Sequence, residues 1–158
     1  MYSDQEPAET TFFDLGDNTA LVCVDHQQYQ KVIVPQLIDM TYKVHLGLFE
    51  EDVVLKLKTY NYDVVLVYEN FKGSTLQTNP ILAELTRRPD TQRRAHFVVL
   101  ISHRFATNDA MSAFVHSVDQ IINIGDLANL KPVLRRGVAQ YRELYNAFNE
   151  MVKSVQSL

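Results

Sequence analysis

Short apolar runs recur along the chain, separated by stretches in which apolar residues have helical spacing. An unbroken run of β-branched and aliphatic residues is typical of a strand that is covered on both faces. The clearest run is Val64 to Val67, in the third strand, which ends in Tyr68, Glu69 and Asn70. Five strands are predicted, at 20–24, 42–49, 62–71, 96–102 and 119–124. The second strand alternates, which suits a position near an edge of the sheet.

Helices are predicted between the strands, from apolar residues spaced three or four apart. They span 28–40, 50–60, 79–88, a segment that begins at Thr107 or Asn108, and a segment from 126 almost to the end. Asn79-Pro80 is a good helix start, because asparagine caps free N–H groups and proline suits the first turn. Pro35 is expected to kink the first helix or move its start. Five alternations of strand and helix predict a parallel sheet with helices on both faces.

The composition is that of an ordinary globular domain and excludes several functions. The chain has 158 residues, a formal charge of -4 and a pI of about 5.7, which argues against a nucleic-acid surface. Cys23 is the single cysteine and lies in an apolar run, so we expect it to be buried in the core. A single cysteine cannot form an internal disulfide, which fits a reducing compartment. The sequence has no apolar run of membrane-spanning length and no signal peptide. We therefore expect a soluble cytoplasmic protein that binds neither nucleic acid nor membrane.

The sequence lacks the common catalytic and nucleotide-binding motifs. It contains no G-x-G-x-x-G, no G-x-x-x-x-G-K-S/T and no G-x-S-x-G elbow. Its five histidines are never three or four residues apart, so a helical metal-binding pair is absent. His26, Glu69 and His103 each follow a strand end and could form a site in space. Loop caps and ordinary hydrogen bonds are the alternative roles for these three residues.

Four phrases of the sequence resemble the receiver domain of bacterial two-component response regulators. ALVCVDHQ is similar to the first receiver strand with its terminal acidic pair, and NYDVVLVY to the strand that ends in the phosphorylated aspartate. FVVLIS is similar to the strand that ends in a hydroxyl, and DQIINIGDLANL to the last strand and helix start. The resemblance covers about 20–140. It implies a flavodoxin-like, doubly wound α/β fold whose five-stranded parallel sheet has the order 2-1-3-4-5.

The resemblance also divides the chain into three parts. An N-terminal tail is expected at 1–18, a receiver-like domain at 19–140 and a C-terminal helical extension at 141–158. The tail is expected to be poorly ordered unless Phe12 and Phe13 dock on the domain.

Receiver chemistry needs a carboxylate nucleophile, an acidic pair that binds Mg²⁺, a hydroxyl and a lysine. By position, the resemblance places the acidic pair on Asp25 and His26, the acceptor on Tyr68, the hydroxyl on Ser102, and the lysine on Asn123 or Ile124. The acceptor, the lysine and one metal acid are therefore missing together. The resemblance implies a pseudo-receiver with a vestigial phosphorylation pocket, and we expect no metal and no cofactor. We call Asp25, His26, Tyr68, Ser102 and Asn123 the strand-end pocket.

The C-terminal extension carries an apolar stripe with a spacing that alternates between three and four residues, as in a heptad repeat. We call it the C-terminal stripe, and it consists of Val138, Tyr141, Tyr145, Phe148, Val152 and Val155. It either folds back on its own domain or forms a protein-binding surface, for example in a homodimer. Gly137 weakens a helix and could mark a bend where the extension leaves the domain.

Three functions remain open from the sequence. The leading hypothesis is a non-enzymatic signalling or scaffolding module that acts through protein partners. The second is an α/β domain that binds a small ligand in the strand-end pocket. The third is an enzyme with His26 or His103 as its general base, which lacks a recognisable nucleophile. Tyr68 by itself could also be an ordinary core tyrosine with a hydrogen-bonded hydroxyl.

Overall fold

A sheet of five parallel strands forms the centre of the protein. A computed structural model describes residues 13–157, without the side chains of Asp90 and Thr91. The strands are β1 (Asn18–Cys23), β2 (Tyr42–Leu46), β3 (Val64–Tyr68), β4 (Phe97–Ser102) and β5 (Gln120–Asn123). Their order in the sheet is β2-β1-β3-β4-β5, and every neighbouring pair is parallel. This confirms the predicted fold class, including the edge position of β2.

Helices cover both faces of the sheet. They are α1 (Gln27–Asp39), α2 (Glu50–Thr59), α3 (Pro80–Arg87), α4 (Asp90–Arg94), α5 (Ala110–Val115) and α6 (Leu130–Gln156). Asn79 caps α3 as predicted, because its side chain accepts from the N–H groups of Ile81 and Leu82. The short α4 was not predicted. No helix within residues 13–157 is both long enough and apolar enough to cross a membrane.

One predicted helix start is wrong, and Pro35 does not move the start of another helix. Asp109 caps α5, and neither Thr107 nor Asn108 does. The Thr107 hydroxyl instead donates to Asp126, and Asn108 has a left-handed backbone with a φ of 65°. Helix α1 also continues through Pro35 without a break. Pro35 is exposed, and the buried side of α1 holds the helix on the sheet with Ile33, Val34 and Leu37.

Alternation along the strands divides the core into two layers. On β3, Val64, Leu66 and Tyr68 point to the layer that α1 and α6 cover. Val65 and Val67 point to the other layer, which is covered by α2, α3 and α5. Successive side chains of a strand point to opposite faces, so an unbroken apolar run supplies both layers at once.

The part of the predicted tail that the structure describes packs on the domain. The Phe13 ring stacks on His45 with 4.1 Å between ring centroids, and it meets Tyr60 and Tyr62 edge-on. Phe12 and the rest of residues 1–12 lie outside the described residues. The aromatic contacts of Phe13 therefore fix where the chain enters β1.

Gly137 lies inside α6, and the helix is not interrupted there. A Cβ at this position would lie 2.6 Å from the Gln120 side-chain oxygen. Gln120 is buried, and its side-chain amide donates to the Asn108 side chain and to the Val133 carbonyl. Glycine is therefore needed here because α6 passes close to a side chain that is held in place.

This contact predicts that Gly137→Ala will not give the stabilisation that Gly→Ala changes usually give inside a helix. An exposed Gly→Ala change inside a helix gains roughly 1 kcal/mol. Here we expect a net loss of about 1 kcal/mol, because the new methyl group overpacks the site and displaces Gln120. In a Gln120→Ala background, the same change should stabilise the protein by roughly 1 kcal/mol. Urea unfolding of the four proteins in this cycle measures the coupling, and additive effects would contradict the prediction.

Candidate functional site

The carboxyl ends of β1, β3 and β4 bring the predicted site residues to one edge of the sheet. Asp25 and His26 follow β1, Tyr68 ends β3, and Ser102 ends β4. Asn123 ends β5 and is paired with Ser102 in the sheet register. Ligands of open α/β sheets bind at this edge. The structure therefore places the strand-end pocket where the chemistry of such a fold is found.

The Tyr68 hydroxyl is hydrogen-bonded to a histidine, and the sequence analysis did not predict this contact. The Tyr68 hydroxyl lies 2.6 Å from Nε2 of His103, and the Tyr68 side chain is buried. Burial, aided by the nearby Tyr29 and Asp25, raises the pKa of the Tyr68 phenol. The phenol therefore stays protonated at neutral pH and can donate to Nε2.

An aromatic cluster surrounds this pair. His26 stacks on Tyr29 with 3.9 Å between ring centroids, and Tyr29 meets the Tyr68 ring edge-on at 5.5 Å. His103 lies 6.2 Å from the Tyr29 ring. Sequence reasoning missed Tyr29, although its place one turn into the helix after His26 was a usable signal. Aromatic rings thus occupy the space beside the acceptor position.

The Ser102 hydroxyl is already fully used. It donates to Oε1 of Glu69 at 3.0 Å and accepts from the backbone N–H groups of Arg104 and Phe105. Ser102 is completely buried and Glu69 is 4% exposed. A hydroxyl in a receiver site must face the incoming phosphoryl group, whereas this one holds a buried carboxylate and a turn.

Asp25 is the one acidic residue of the pocket that faces a cavity. One carboxylate oxygen accepts from the backbone N–H of Lys72, and the other is buried without a hydrogen-bond partner. The cavity has a volume of about 330 Å³. Lys72 also lines it, with its ammonium group 4.2 Å from the centre of the Phe49 ring.

Asn123 has a structural role in place of the receiver lysine. Its side-chain amide donates to the Phe105 carbonyl, and its oxygen accepts from the Gly125 N–H. It thereby caps the 3₁₀ turn at Ile124–Asn129. Ile124, the other position considered for the lysine, packs against the core layer under α6.

The three residues considered for a metal site do not form one. His103 is bound to Tyr68, His26 stacks on Tyr29, and Glu69 binds Ser102. Among the described residues, no group of three or more His, Cys, Asp or Glu side chains is placed to hold a metal ion.

The C-terminal stripe is divided between two environments. Val138 is buried, the Tyr141 hydroxyl donates to the Arg94 carbonyl, and Tyr145 stacks on Tyr141. The Arg94 guanidinium lies 5.3 Å from the centre of the Phe148 ring. The first four members of the stripe, which we call its upper half, therefore face their own domain, as one of the two hypotheses proposed.

The lower half of the stripe projects into solvent. Val152 is 36% exposed and Val155 is 68% exposed. Leu144 and Met151, which sequence reasoning missed, are 73% and 69% exposed. Their spacing of seven residues, each directly before a member of the stripe, was the signal that could have found them. The apolar face is thus wider than the predicted stripe.

A groove of about 680 Å³ runs beside the upper half of the stripe. Its basic wall comes from α4 and the end of α3, and its apolar wall from α5 and α6. The residues used below are Arg88, Arg93, Arg94, Phe114, Leu144 and Phe148. Arg93 is bonded to Asp119, whereas Arg94 has no acidic partner among the described residues. The groove lies at the amino end of the sheet, because Tyr141 contacts Phe97, the first residue of β4.

Comparison with known proteins finds similarity in fold and no match in sequence. No protein-family model matches the chain, and no curated protein matches it in sequence. A response regulator from Thermotoga maritima is similar with a TM-score of 0.59 and 16% identity, over 78% of this chain and 98% of that one. NtrX from Brucella abortus is similar with a TM-score of 0.66 and 17% identity, over 85% of this chain but 29% of that one.

A third similar structure includes a long helix. It is the trimeric coiled coil of yeast Spc42 fused to another protein of solved structure, with a TM-score of 0.62 and 16% identity. The match covers 92% of this chain and 93% of that one. The similarity to response regulators confirms the predicted receiver-like fold.

The role of Ser102 predicts a large loss of stability on removal of its hydroxyl. Ser102→Ala leaves the Glu69 carboxylate and two backbone N–H groups without their partner. We expect a loss of about 1–3 kcal/mol in the free energy of unfolding, as for other buried polar groups left unsatisfied. Ser154→Ala, at an exposed position of α6, is the matched control and should change it by less than about 0.5 kcal/mol. Equal effects of the two substitutions in urea unfolding would contradict the assigned role.

Proposed function

We propose that this chain is a signalling or scaffolding module that works without phosphorylation, through contacts with proteins, and is not an enzyme. The receiver-like fold supports a signalling role. The observation that carries the proposal is the Tyr68–His103 hydrogen bond at the position where a receiver has its acceptor. A protonated, buried phenol supplies no carboxylate nucleophile, and the Tyr29 ring meets the Tyr68 ring edge-on at 5.5 Å.

The supporting groups of phosphoryl transfer are also missing. Such transfers depend on stabilising the charge of the transferring oxygens, with Mg²⁺ and a cationic side chain. Asp25 has no second acid beside it, since His26 occupies that position and stacks on Tyr29. Asn123 replaces the lysine, and Ser102 is held by Glu69. The replacements His26 and Asn123 each make a contact of their own, with Tyr29 and with the Phe105 carbonyl.

A second candidate function rests on Asp25. One oxygen of its carboxylate is buried without a partner and lies at the small cavity that Lys72 also lines. A carboxylate and a lysine at the carboxyl edge of a parallel sheet are suited to a small polar ligand. Asp25→Asn would abolish such binding and leave the protein-contact function intact, which separates the two candidates.

The proposal predicts that acetyl phosphate with Mg²⁺ leaves the protein unmodified. The physical reason is the absence of a carboxylate at Tyr68 and of a lysine at the end of β5. Intact-mass measurement after incubation detects an added phosphoryl group. A receiver domain with the full set of groups, treated in the same way, is the control. An adduct on any residue of the strand-end pocket would overturn the proposal.

A separate prediction concerns repair of the site. Tyr68→Asp alone is expected to give no labelling above that of the starting protein, because the second metal acid and the lysine are still missing. Adding His26→Asp and Asn123→Lys supplies both groups and is the matched comparison. Rapid labelling of the single variant would show that the remaining pocket is competent and that Tyr68 is its only block.

A further inference from the structure

The C-terminal stripe has a face that is too large for its own domain to cover. Its upper half borders the groove, where Phe114 is 82% exposed and Phe148 is 49% exposed. The last two members of the stripe, Val152 and Val155, and the neighbouring Met151 are exposed. Monomeric proteins rarely expose contiguous apolar patches of this kind. An unpacked helix end is also only marginally stable in water.

The domain lies on the same side of α6 as the stripe, and this restricts how two copies can pair. Arg94 covers Phe148, and Tyr141 contacts both Arg94 and Phe97. In a parallel pair, the second helix would pack against the stripe of the first helix, and its own domain would point toward the first helix at the same level. The two domains would then occupy the same space. An antiparallel pair places the domains at opposite ends and avoids this clash.

The spacing of the stripe permits the antiparallel arrangement. Its six residues are separated by 3, 4, 3, 4 and 3 positions, which is the same pattern in both chain directions. When the helices run in opposite directions, Tyr141, Tyr145, Phe148 and Val152 therefore each meet a member of the partner's stripe, whereas Val138 stays buried in its own domain. Tyr141 then faces the partner's Val152, and Tyr145 faces the partner's Phe148. The free end of one helix thereby reaches the groove of the other copy.

The charge of the groove fits this occupant. The last carbonyl groups of a helix carry partial negative charge, and cationic side chains near them are stabilising. Of the three arginines that line the groove, Arg88 is paired with Glu84 and Arg93 with Asp119, which leaves Arg94 to meet these carbonyl groups. The end of α6 offers exposed apolar side chains, Met151 and Val155, together with these carbonyl groups.

We propose that two copies of this chain form an antiparallel dimer in which each α6 end occupies the partner's groove. This inference rests on the proposed protein-contact function and names its partner. The interface is isologous, as in most symmetric dimers, because each copy contributes one groove and one helix end.

Disulfide trapping in the full chain tests the arrangement. Leu144 and Met151 flank the stripe on one edge, so antiparallel pairing brings Leu144 beside the partner's Met151. We expect Leu144→Cys/Met151→Cys to form a covalent dimer in which peptide mapping links position 144 to position 151. Both side chains are exposed, so the substitutions leave the fold intact. Cys23 does not compete, because it is completely buried and burial raises the pKa of its thiol.

The control places the same spacing on the opposite face. Glu143→Cys/Glu150→Cys is expected to cross-link at least roughly tenfold more slowly, since pairing gives it no increase in local concentration. Val155→Cys reports parallel pairing: in the antiparallel dimer its two copies lie roughly 25 Å apart along the helix axis. A disulfide needs Cα atoms within about 7 Å.

Three results would overturn the inference. They are rapid self-linking of Val155→Cys, cross-linking of the control pair as fast as the test pair, and sedimentation of the full chain as a monomer or trimer. None of them bears on phosphorylation, which the acetyl phosphate experiment decides separately. A dimer with links between positions 144 and 151 supports both the partner and its orientation.

Discussion

Burial of the central strands on both faces is the constraint from which the rest of the structure follows. Every residue of β3 and β4 is buried, so both faces of the sheet must be covered and the chain must cross over after each strand. Parallel strands place all carboxyl ends at one edge and all amino ends at the other. The strand-end pocket and the groove beside α6 are therefore at opposite ends of the molecule.

At the carboxyl edge, buried polar groups are paired with hydrogen-bond partners. Glu69 is buried beside Ser102, and an unpaired carboxylate there would cost several kcal/mol. The Ser102 hydroxyl meets that need and also holds the turn after β4. Tyr68 and His103 satisfy each other in the same way. Ser102, Tyr68 and Asn123 each have hydrogen-bond partners, whereas one oxygen of Asp25 is buried without one among the described residues.

Local rules of spacing and capping made the fold predictable, whereas contacts between residues far apart in the sequence could not be predicted. The run from Val64 to Val67 and the Asn79 cap follow from spacing and backbone chemistry, and both are confirmed. The cap of α5 was wrong because the Thr107 hydroxyl is used by Asp126, nineteen residues away. The partner of Tyr68 was missed for the same reason, since His103 lies thirty-five residues away in sequence. Neither contact leaves a local pattern in the sequence.

Helix α6 joins the two ends of the molecule. It starts beside the carboxyl edge, where Asn123 caps the preceding turn, and its first buried residues are Leu130 and Leu134. With 27 residues it is roughly 40 Å long, far more than the four-residue β5 that it crosses. Its direction is set by packing on the sheet and by the glycine contact with Gln120. The contacts that fix its direction thus all come from this chain's own core and from Gln120 of β5.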